Sequence, residues 1–326
     1  MRVLVTGSIA TDHLMSFPGR FADQLLPDQL DKVSLSFLVD DLDIRRGGVA
    51  ANICFGMAVL GLRPVLVGSV GGDFDDYRSW LERHGVDCSF VRVSELRHTA
   101  RFLCTTDADQ NQIASFYPGA MAEAREIELG PIVTQLGDVD LVLISPNDPE
   151  AMVRHTQECR DRGYRFVADP SQQLSGMEAA QIRQLVDGAA YLFCNSYERA
   201  LLEQKTGWSG DDVLSRVGVR VTTMGADGAL VEQTGVAPIE VPVPPEERRA
   251  DPTGVGDAFR AGFLTAVAWG LGHERAAQVG SMLATLVIET VGTQEYDLGR
   301  AHFLERLESA YGPDAGSEVR SHVPSG

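Results

Sequence analysis

Asp257 is the residue on which a reaction can be built. It closes the run Asp251-Pro-Thr-Gly-Val-Gly-Asp257, and an apolar stretch of helical period, Ala258 to Leu264, follows it. Glycines at 254 and 256 allow the backbone to approach a ligand closely and to adopt dihedrals closed to other residues. The first amides of the helix that starts here have no intrahelical partner, so Gly254, Val255 and Gly256 are expected to form an anion hole. A carboxylate that can take a proton, set beside a cradle for negative charge, is what phosphoryl transfer needs. The plain alternative is an N-capping aspartate in a glycine-rich turn. The helix dipole is expected to depress the Asp257 pKa, leaving a weak base that a loose transition state tolerates because proton loss comes late.

A second segment gives that base an acceptor to act on. Residues 47–61 read Gly-Gly-Val-Ala-Ala-Asn-Ile-Cys-Phe-Gly-Met-Ala-Val-Leu-Gly, with Gly71 and Gly72 further on. Asn52 inside an apolar helical run costs helix propensity and is anomalous as core filling. Asp12, placed by the pattern in the loop after the first strand, joins Gly48 and Asn52 as a set able to hold vicinal hydroxyls. Phe102 and Phe116 would offer apolar faces to a planar base, with lid packing or a dimer interface as the alternative. Gln172 and Gln173 can read donors and acceptors on a purine edge, and Ser8 and Ser36 are further partners. For the phosphate donor, Asn195 and Glu198 follow one strand and Thr223 and Gly225 end another, where ligands of open α/β sheets gather. A hairpin turn is the plain reading of Thr223-Met-Gly225. No Gly-x4-Gly-Lys-[Ser/Thr] run occurs, so the chain is not a P-loop enzyme.

The Gly-Gly…Asn and Gly-x-Gly-Asp segments, in this order and about two hundred residues apart, resemble the two signatures of the ribokinase-like (PfkB) carbohydrate kinase family. The runs 7–15, 113–119, 169–173 and 251–257 look, within that family, like the bacterial adenosine kinases. The likeness extends from residue 3 to about 311. It departs from the broad pattern at Cys54, where Ser, Thr or Ala is usual, and at Val255, where Ala is common. The resemblance implies a three-layer α/β/α domain with a mainly parallel sheet and a small β-sheet lid. It implies transfer of the γ-phosphate of ATP, with Mg²⁺, to the 5′-hydroxyl of adenosine, giving AMP and ADP in purine salvage. It gives Asn195-x-x-Glu198 the task of orienting Mg²⁺-bound water and phosphates, and Gly225 a place in the ATP site. A potassium ion beside the anion cradle is implied at Asp251 and Thr253, with the stretch Val291-Gly-Thr-Gln294 that contains Gly292. A ribose or fructose kinase of the same fold is the nearest rival. A dinucleotide-dependent oxidoreductase fits poorly, because Phe259 stands where its fingerprint needs glycine. A non-catalytic nucleoside-binding protein would not need Asp257 beside an anion cradle.

The elements that must position these residues alternate regularly. Val3–Thr6 reads as the first strand, 50–60 as a helix and 64–69 as the next strand. From 139 onward come strand 139–144, helix 149–162, strand 165–168, helix 178–187, strand 191–194, helix 197–206 and strand 219–223. Such alternation indicates a parallel sheet with crossover helices, and two long helices after 256 would cover one face. Segments 33–46 and 99–117 break the rhythm and read as the lid. A turn centred on Asp109 would pair Phe102 with Phe116 on one side of the ribbon. Such a lid has exposed edges, and a homodimer through it is expected. Residues 312–326, poor in apolar side chains, are expected to be a disordered tail after a kinase domain spanning 1–311.

Composition sets the outer limits. The 326 residues contain 44% hydrophobic and 23% charged side chains, enough for a large buried core. A formal net charge of -18 argues against sequence-independent nucleic-acid binding. Five scattered cysteines without a Cys-x-x-Cys pair, no signal-peptide pattern and no apolar run near the ~20 residues of a bilayer span lead to a cytoplasmic expectation with reduced thiols and no membrane partner.

Overall fold

The computed structural model describes residues 1–25 and 35–324. Its strands are β1 (Val3–Thr6), β2 (Ala10–Ser16), β3 (Asp41–Gly47), β4 (Val65–Val67), β5 (Ser69–Gly71), β6 (Arg92–Ser94), β7 (Ala100–Thr106), β8 (Gln112–Tyr117), β9 (Leu141–Ile144), β10 (Phe166–Ala168), β11 (Tyr191–Asn195), β12 (Val219–Thr223), β13 (Ala229–Glu232) and β14 (Ile239–Val241). Eight of them form the main sheet in the order β14-β13-β12-β11-β10-β9-β1-β4. Pairing is parallel from β12 through β4, and β13 and β14 add antiparallel at one edge.

Both faces of this sheet are covered, which is why its strands are short, nearly continuous apolar runs. On one face Val3, Val5, Leu141, Leu143, Val167, Phe193 and Val221 pack against helices Val49–Val59, Val255–Ala268 and His273–Ile288. On the other, Leu4, Val142, Ile144, Ala168 and Leu192 pack against Leu129–Leu136, Pro149–Arg162 and Ala179–Val186. The chain leaves β1 toward β4 on one side and later returns to β9 on the other. Strand order therefore reverses at β1, and ligand clefts of open α/β sheets lie at the carboxyl ends of strands at such a point.

The lid is a four-stranded sheet ordered β3-β2-β7-β8. Its β7–β8 hairpin has the expected register, Phe102 opposite Phe116. Segment 33–46 contributes only β3, and residues 33 and 34 lie outside the described residues. The strand that sequence reasoning missed is β2, which pairs with both β3 and β7. Asp12 thus lies within a strand, not in a loop. The polar run Thr11-Asp12-His13 hid that strand: Asp12 shares a face with Phe102, while Thr11 and His13 bond to each other on the opposite face.

The expectation of a disordered tail after residue 311 is corrected. Pro313 opens a helix, Pro313–Arg320, at the N-terminal position where its missing N–H costs nothing. Ala315, Val319 and Val323 are buried in the core on the side of the Asp257 helix. A few small apolar residues at helical spacing were enough to dock a segment that composition alone read as polar. All five cysteines are buried and unpaired. No helix among the described residues is long and apolar enough to cross a membrane.

Candidate active site

The Val255–Ala268 helix begins at Gly254, whose φ of 78° is left-handed, and a Cβ there would meet Thr293 Cγ2 at 2.8 Å. Glycine is required on both counts. No side chain caps this helix, and the amides of Gly256 and Asp257 donate to no protein group among the described residues. Those two N–H groups are free to face an anion; of the expected set Gly254, Val255 and Gly256, the Val255 N–H lies 3.5 Å from the Pro252 carbonyl. Asp257, in the first turn, is partly buried, and its Oδ2 accepts a hydrogen bond of 2.8 Å from Asn52 Nδ2. Asp257 and the anomalous helical asparagine are thus in direct contact.

The Asp257 pKa does not follow the expectation from the helix dipole. Burial pushes it up to about 7, against the Asn52 hydrogen bond and the Arg260 charge and with a further rise from Asp169. Desolvation of a carboxylate outweighs a terminal dipole, whose effect is usually a fraction of that. The Asp257 carboxyl is therefore poised near neutrality rather than depressed.

Arg260 was not foreseen as part of the site. It is 5% exposed, and its Nε lies 2.6 Å from Oδ2 of the fully buried Asp169, just after β10. Its Nη1 donates to the Gly256 carbonyl at 3.0 Å, and Nη2 is 4.0 Å from Glu198. Burial raises the Asp169 pKa, and Arg260 opposes that rise. A lone arginine in the apolar run Ala-Phe-Arg-Ala-Gly-Phe was the available signal, since a charge there requires a buried partner.

On the donor side, a cavity of about 450 Å³ is lined by Asn195, Thr223, Gly225, Pro252, Val255 and Gly256, so four of the expected ATP-site residues share it with the anion hole. Arg249 and Glu246 also line it and were not anticipated. Asn195 and Glu198 form a reciprocal capping box: Glu198 N donates to Asn195 Oδ1 and Asn195 N to Glu198 Oε2, both at 2.8 Å. The Asn195 amide nitrogen is left for a ligand. Ser171, in the left-handed region at φ 44°, donates to Glu198 Oε1 at 3.3 Å. Gln172 and Gln173 follow it in the short helix Ser171–Ser175, which packs on β11 and the Ser196–Thr206 helix, on the Asn195–Glu198 side.

On the acceptor side, one row crosses the lid: Arg45 on β3, Asp12 on β2, Phe102 on β7 and Phe116 on β8. Side chains in register on adjacent strands share a face. A carboxylate and two aromatic rings are thereby presented together. Burial pushes the Asp12 pKa up to about 6, with Arg45 opposing and Asp251 adding to the rise. A Cβ on Gly47 would sit 3.1 Å from Asp12 Oδ2, so the first glycine of the motif makes room for this carboxyl. Gly48, at φ 94°, passes so close to Ser8–Ala10 that a Cβ would lie 2.6 Å from Ala10 N. Ser8 Oγ accepts from Val49 N at 3.0 Å, so it caps the Asn52 helix. Ser36 is exposed in segment 35–39, outside any strand or helix, and makes no hydrogen bond among the described residues.

The proposed potassium ligands are neighbours. Asp251 accepts from Thr253 N at 2.9 Å and from Gly292 N at 3.2 Å. Arg45 Nη1 is 3.4 Å from the same carboxylate and already supplies a positive charge. Burial works against the Asp251 charge, yet these partners hold its pKa below the usual range. No group of three or more His, Cys, Asp or Glu capable of holding a metal occurs among the described residues.

Residues 10–298 match the family described as pfkB family carbohydrate kinase. A nucleoside kinase of Methanocaldococcus jannaschii is 31% identical over 267 residues, covering 80% of this chain and 85% of that protein. The ligand-free structure of Burkholderia thailandensis nucleoside kinase is 36% identical with a TM-score of 0.83, covering 94% of this chain and 100% of its own. The same Burkholderia enzyme in complex with ADP-inosine superposes with a TM-score of 0.78 at 36% identity, over 95% of this chain and 96% of that one.

Proposed function

This chain belongs to the pfkB family of carbohydrate kinases, and from that premise we propose that it is an ATP- and Mg²⁺-dependent nucleoside kinase acting on the ribose 5′-hydroxyl of adenosine. The observation that carries the nucleoside reading is the cross-lid row, in which Phe102 and then Phe116 follow Asp12 on one face. A pentose alone has no use for two aromatic rings beside its hydroxyl-binding carboxylate, whereas a base stacks on them. The relatives named as nucleoside kinases support the same reading.

In this mechanism Asp12 and Asn52 hold the ribose through directional hydrogen bonds, with the Gly48 backbone beside them. Asp257 takes the proton of the 5′-hydroxyl as that oxygen attacks the γ-phosphorus, and the bond to the β,γ-bridging oxygen breaks. The Gly254–Gly256 cradle, with the Asp257 amide, stabilises the charge on the transferring group. Asn195 and Glu198 would receive the waters of Mg²⁺, which when bound would supply positive charge to the phosphates. The negative field of the chain gives no long-range help, so this local cradle has to supply the attraction.

Inosine is a second reading, favoured by the ADP-inosine complex of the Burkholderia relative. Adenosine presents an amino donor at C6 where inosine presents a carbonyl acceptor. Purified protein with ATP-Mg²⁺ and a panel of adenosine, inosine, ribose and fructose tests the assignment. Turnover of adenosine above inosine, with the free sugars inert, is the expected order. Preferential turnover of ribose or fructose would overturn it.

The outer face of the lid supports a homodimer. Leu42, Ile44, Ile113 and Tyr117 all point away from the Asp12 row and are 40–57% exposed. An apolar sheet face of this kind marks an interaction surface.

A further inference from the structure

Behind the groups that face the cleft, a line of buried polar side chains runs from the lid to Asp257, and its direction is fixed at one end. Tyr77, on helix Asp75–Arg83, donates its hydroxyl proton to the Gly47 carbonyl at 2.9 Å, where β3 leaves the lid. A carbonyl can only accept. With its proton committed, the Tyr77 hydroxyl accepts from Gln294 Nε2, 2.6 Å away. The second hydrogen of that nitrogen reaches Asn52 Oδ1 at 2.9 Å. Asn52 must then turn its nitrogen to Asp257, at 2.8 Å. Thr293 Oγ1 lies 2.9 Å from the same Asn52 oxygen. Tyr77, Gln294 and Asn52 are 5%, 1% and 7% exposed, so bulk water does not substitute for a missing link.

The opposite polarity fails at the anchored end. With both amides flipped, Asn52 would donate to Gln294, Gln294 would accept from Tyr77, and an oxygen of Asn52 would face Asp257. The Gly47 carbonyl would lose its donor, and only a protonated Asp257 could meet that oxygen. Gln294 Oε1 has no hydrogen-bond partner in the observed arrangement, so nothing on that side of the amide holds its orientation. The Gly47 carbonyl, acting through Tyr77, does.

We propose that Tyr77 and Gln294 are positioning residues: anchored on the Gly47 carbonyl, they orient the Asn52 amide so that Asp257 always meets a donor and stays ready to take a proton. This rests on the reading of Asp257 as the base. The other groups facing that carboxyl are Arg260 on its own helix, Asp169 after β10 and Tyr296 beyond Gln294. The Tyr77 hydroxyl bonds to none of them, so removing it acts through the amide line.

Tyr77→Phe deletes only the hydroxyl, and Gln294→Leu deletes the amide. The Asp257 carboxyl is followed by ¹³C NMR in aspartate-labelled, substrate-free protein and assigned by its loss in Asp257→Asn. Both variants should raise its titration midpoint by about half to one pH unit, as expected for a weakened hydrogen bond to the ionised form. The acid limb of kcat/KM should move the same way, giving up to about 5-fold lower kcat/KM at pH 7 and recovery near pH 9. Unmoved midpoints in both variants, with a lowered Tm, would show a packing role only and overturn the inference. A midpoint that moves in Gln294→Leu but not in Tyr77→Phe would overturn the anchor on Gly47. If the wild type phosphorylates no nucleoside, the functional reading fails, while the carboxyl titration still decides the roles of Tyr77 and Gln294.

Discussion

Replacing Asp257 by Asn should abolish turnover and at the same time stabilise the fold, with a pH dependence that identifies the cause. The folded-state pKa of about 7 lies above the ordinary carboxylate value of 3.8. Between roughly pH 4 and 7 the folded state keeps a proton that the unfolded chain has released, so this group's favourable contribution is complete below the lower value and is lost as pH rises through the upper one. The full displacement corresponds to a ceiling of ~4 kcal/mol at 1.36 kcal/mol per pH unit. The carboxyl is only partly buried and borders a solvent cleft, so about half of that, ~2 kcal/mol, is the working figure. Asn keeps the shape, can accept from Asn52 through its oxygen, and does not titrate. Melting curves from pH 4 to 9 should therefore coincide at the acid end, separate between pH 4 and 7, and keep a constant offset above pH 7, the variant melting about 3–6 °C higher there. Its kcat should fall by several orders of magnitude with a modest change in nucleoside affinity, because the isostere cannot take the proton. Parallel melting curves across the whole range would refute the raised pKa. A variant that retains a tenth of wild-type kcat would remove Asp257 from the role of base.

The remaining expectations concern the lid and its contacts. Phe102→Ala and Phe116→Ala should each weaken adenosine binding by ~1–3 kcal/mol, the usual loss for one aromatic stack, and lower the adenosine-to-ribose ratio of kcat/KM while the fold survives; an unchanged ratio would return both rings to lid packing. Because Arg45 already neutralises Asp251, replacing K⁺ by choline should lower activity only a few-fold in the wild type and more in Arg45→Met; equal sensitivity in the two would remove Arg45 as a competing cation. Light scattering should report a dimer at tens of micromolar, dissociated by Ile44→Lys on the outer lid face, and a wild-type monomer would exclude the lid interface.

The legible part of this molecule is what local rules decide. Helix Pro149–Arg162 has the predicted bounds because Asp148 caps it, Pro149 opens it and Gly163 ends it in the left-handed region. The Phe102–Phe116 register followed from one turn and a period of two. The Gly-x-Gly-Asp loop and the Asn52 helix were visible because each breaks a local preference that packing alone would not break. What stayed hidden depends on distant partners. Strand β2 is recognisable only from its partners β3 and β7, and Arg260 is explained by Asp169, ninety-one positions away in the chain. The Asp257 pKa was misjudged for the same reason: a dipole is local to a helix end, whereas burial is contributed by every element that closes over it.

Two segments about two hundred residues apart meet at Asp257 because their helices can approach unusually closely. A Cβ on Gly56, one turn beyond Asn52, would lie 2.6 Å from the Cβ of Ala261, one turn beyond Asp257. On the far side of the Asp257 helix, a Cβ on Gly262 would lie 2.8 Å from the Cα of Gly280 in the His273–Ile288 helix. Backbones therefore touch where side chains would ordinarily hold the helices 8–10 Å apart. The 2.8 Å bond between Asn52 and Asp257 is made across this close approach. The glycines at 56, 262 and 280 thus belong to the site as fully as those at 254 and 256. The first group sets how near Asp257 and Asn52 can stand, and the second leaves backbone amides free beside them.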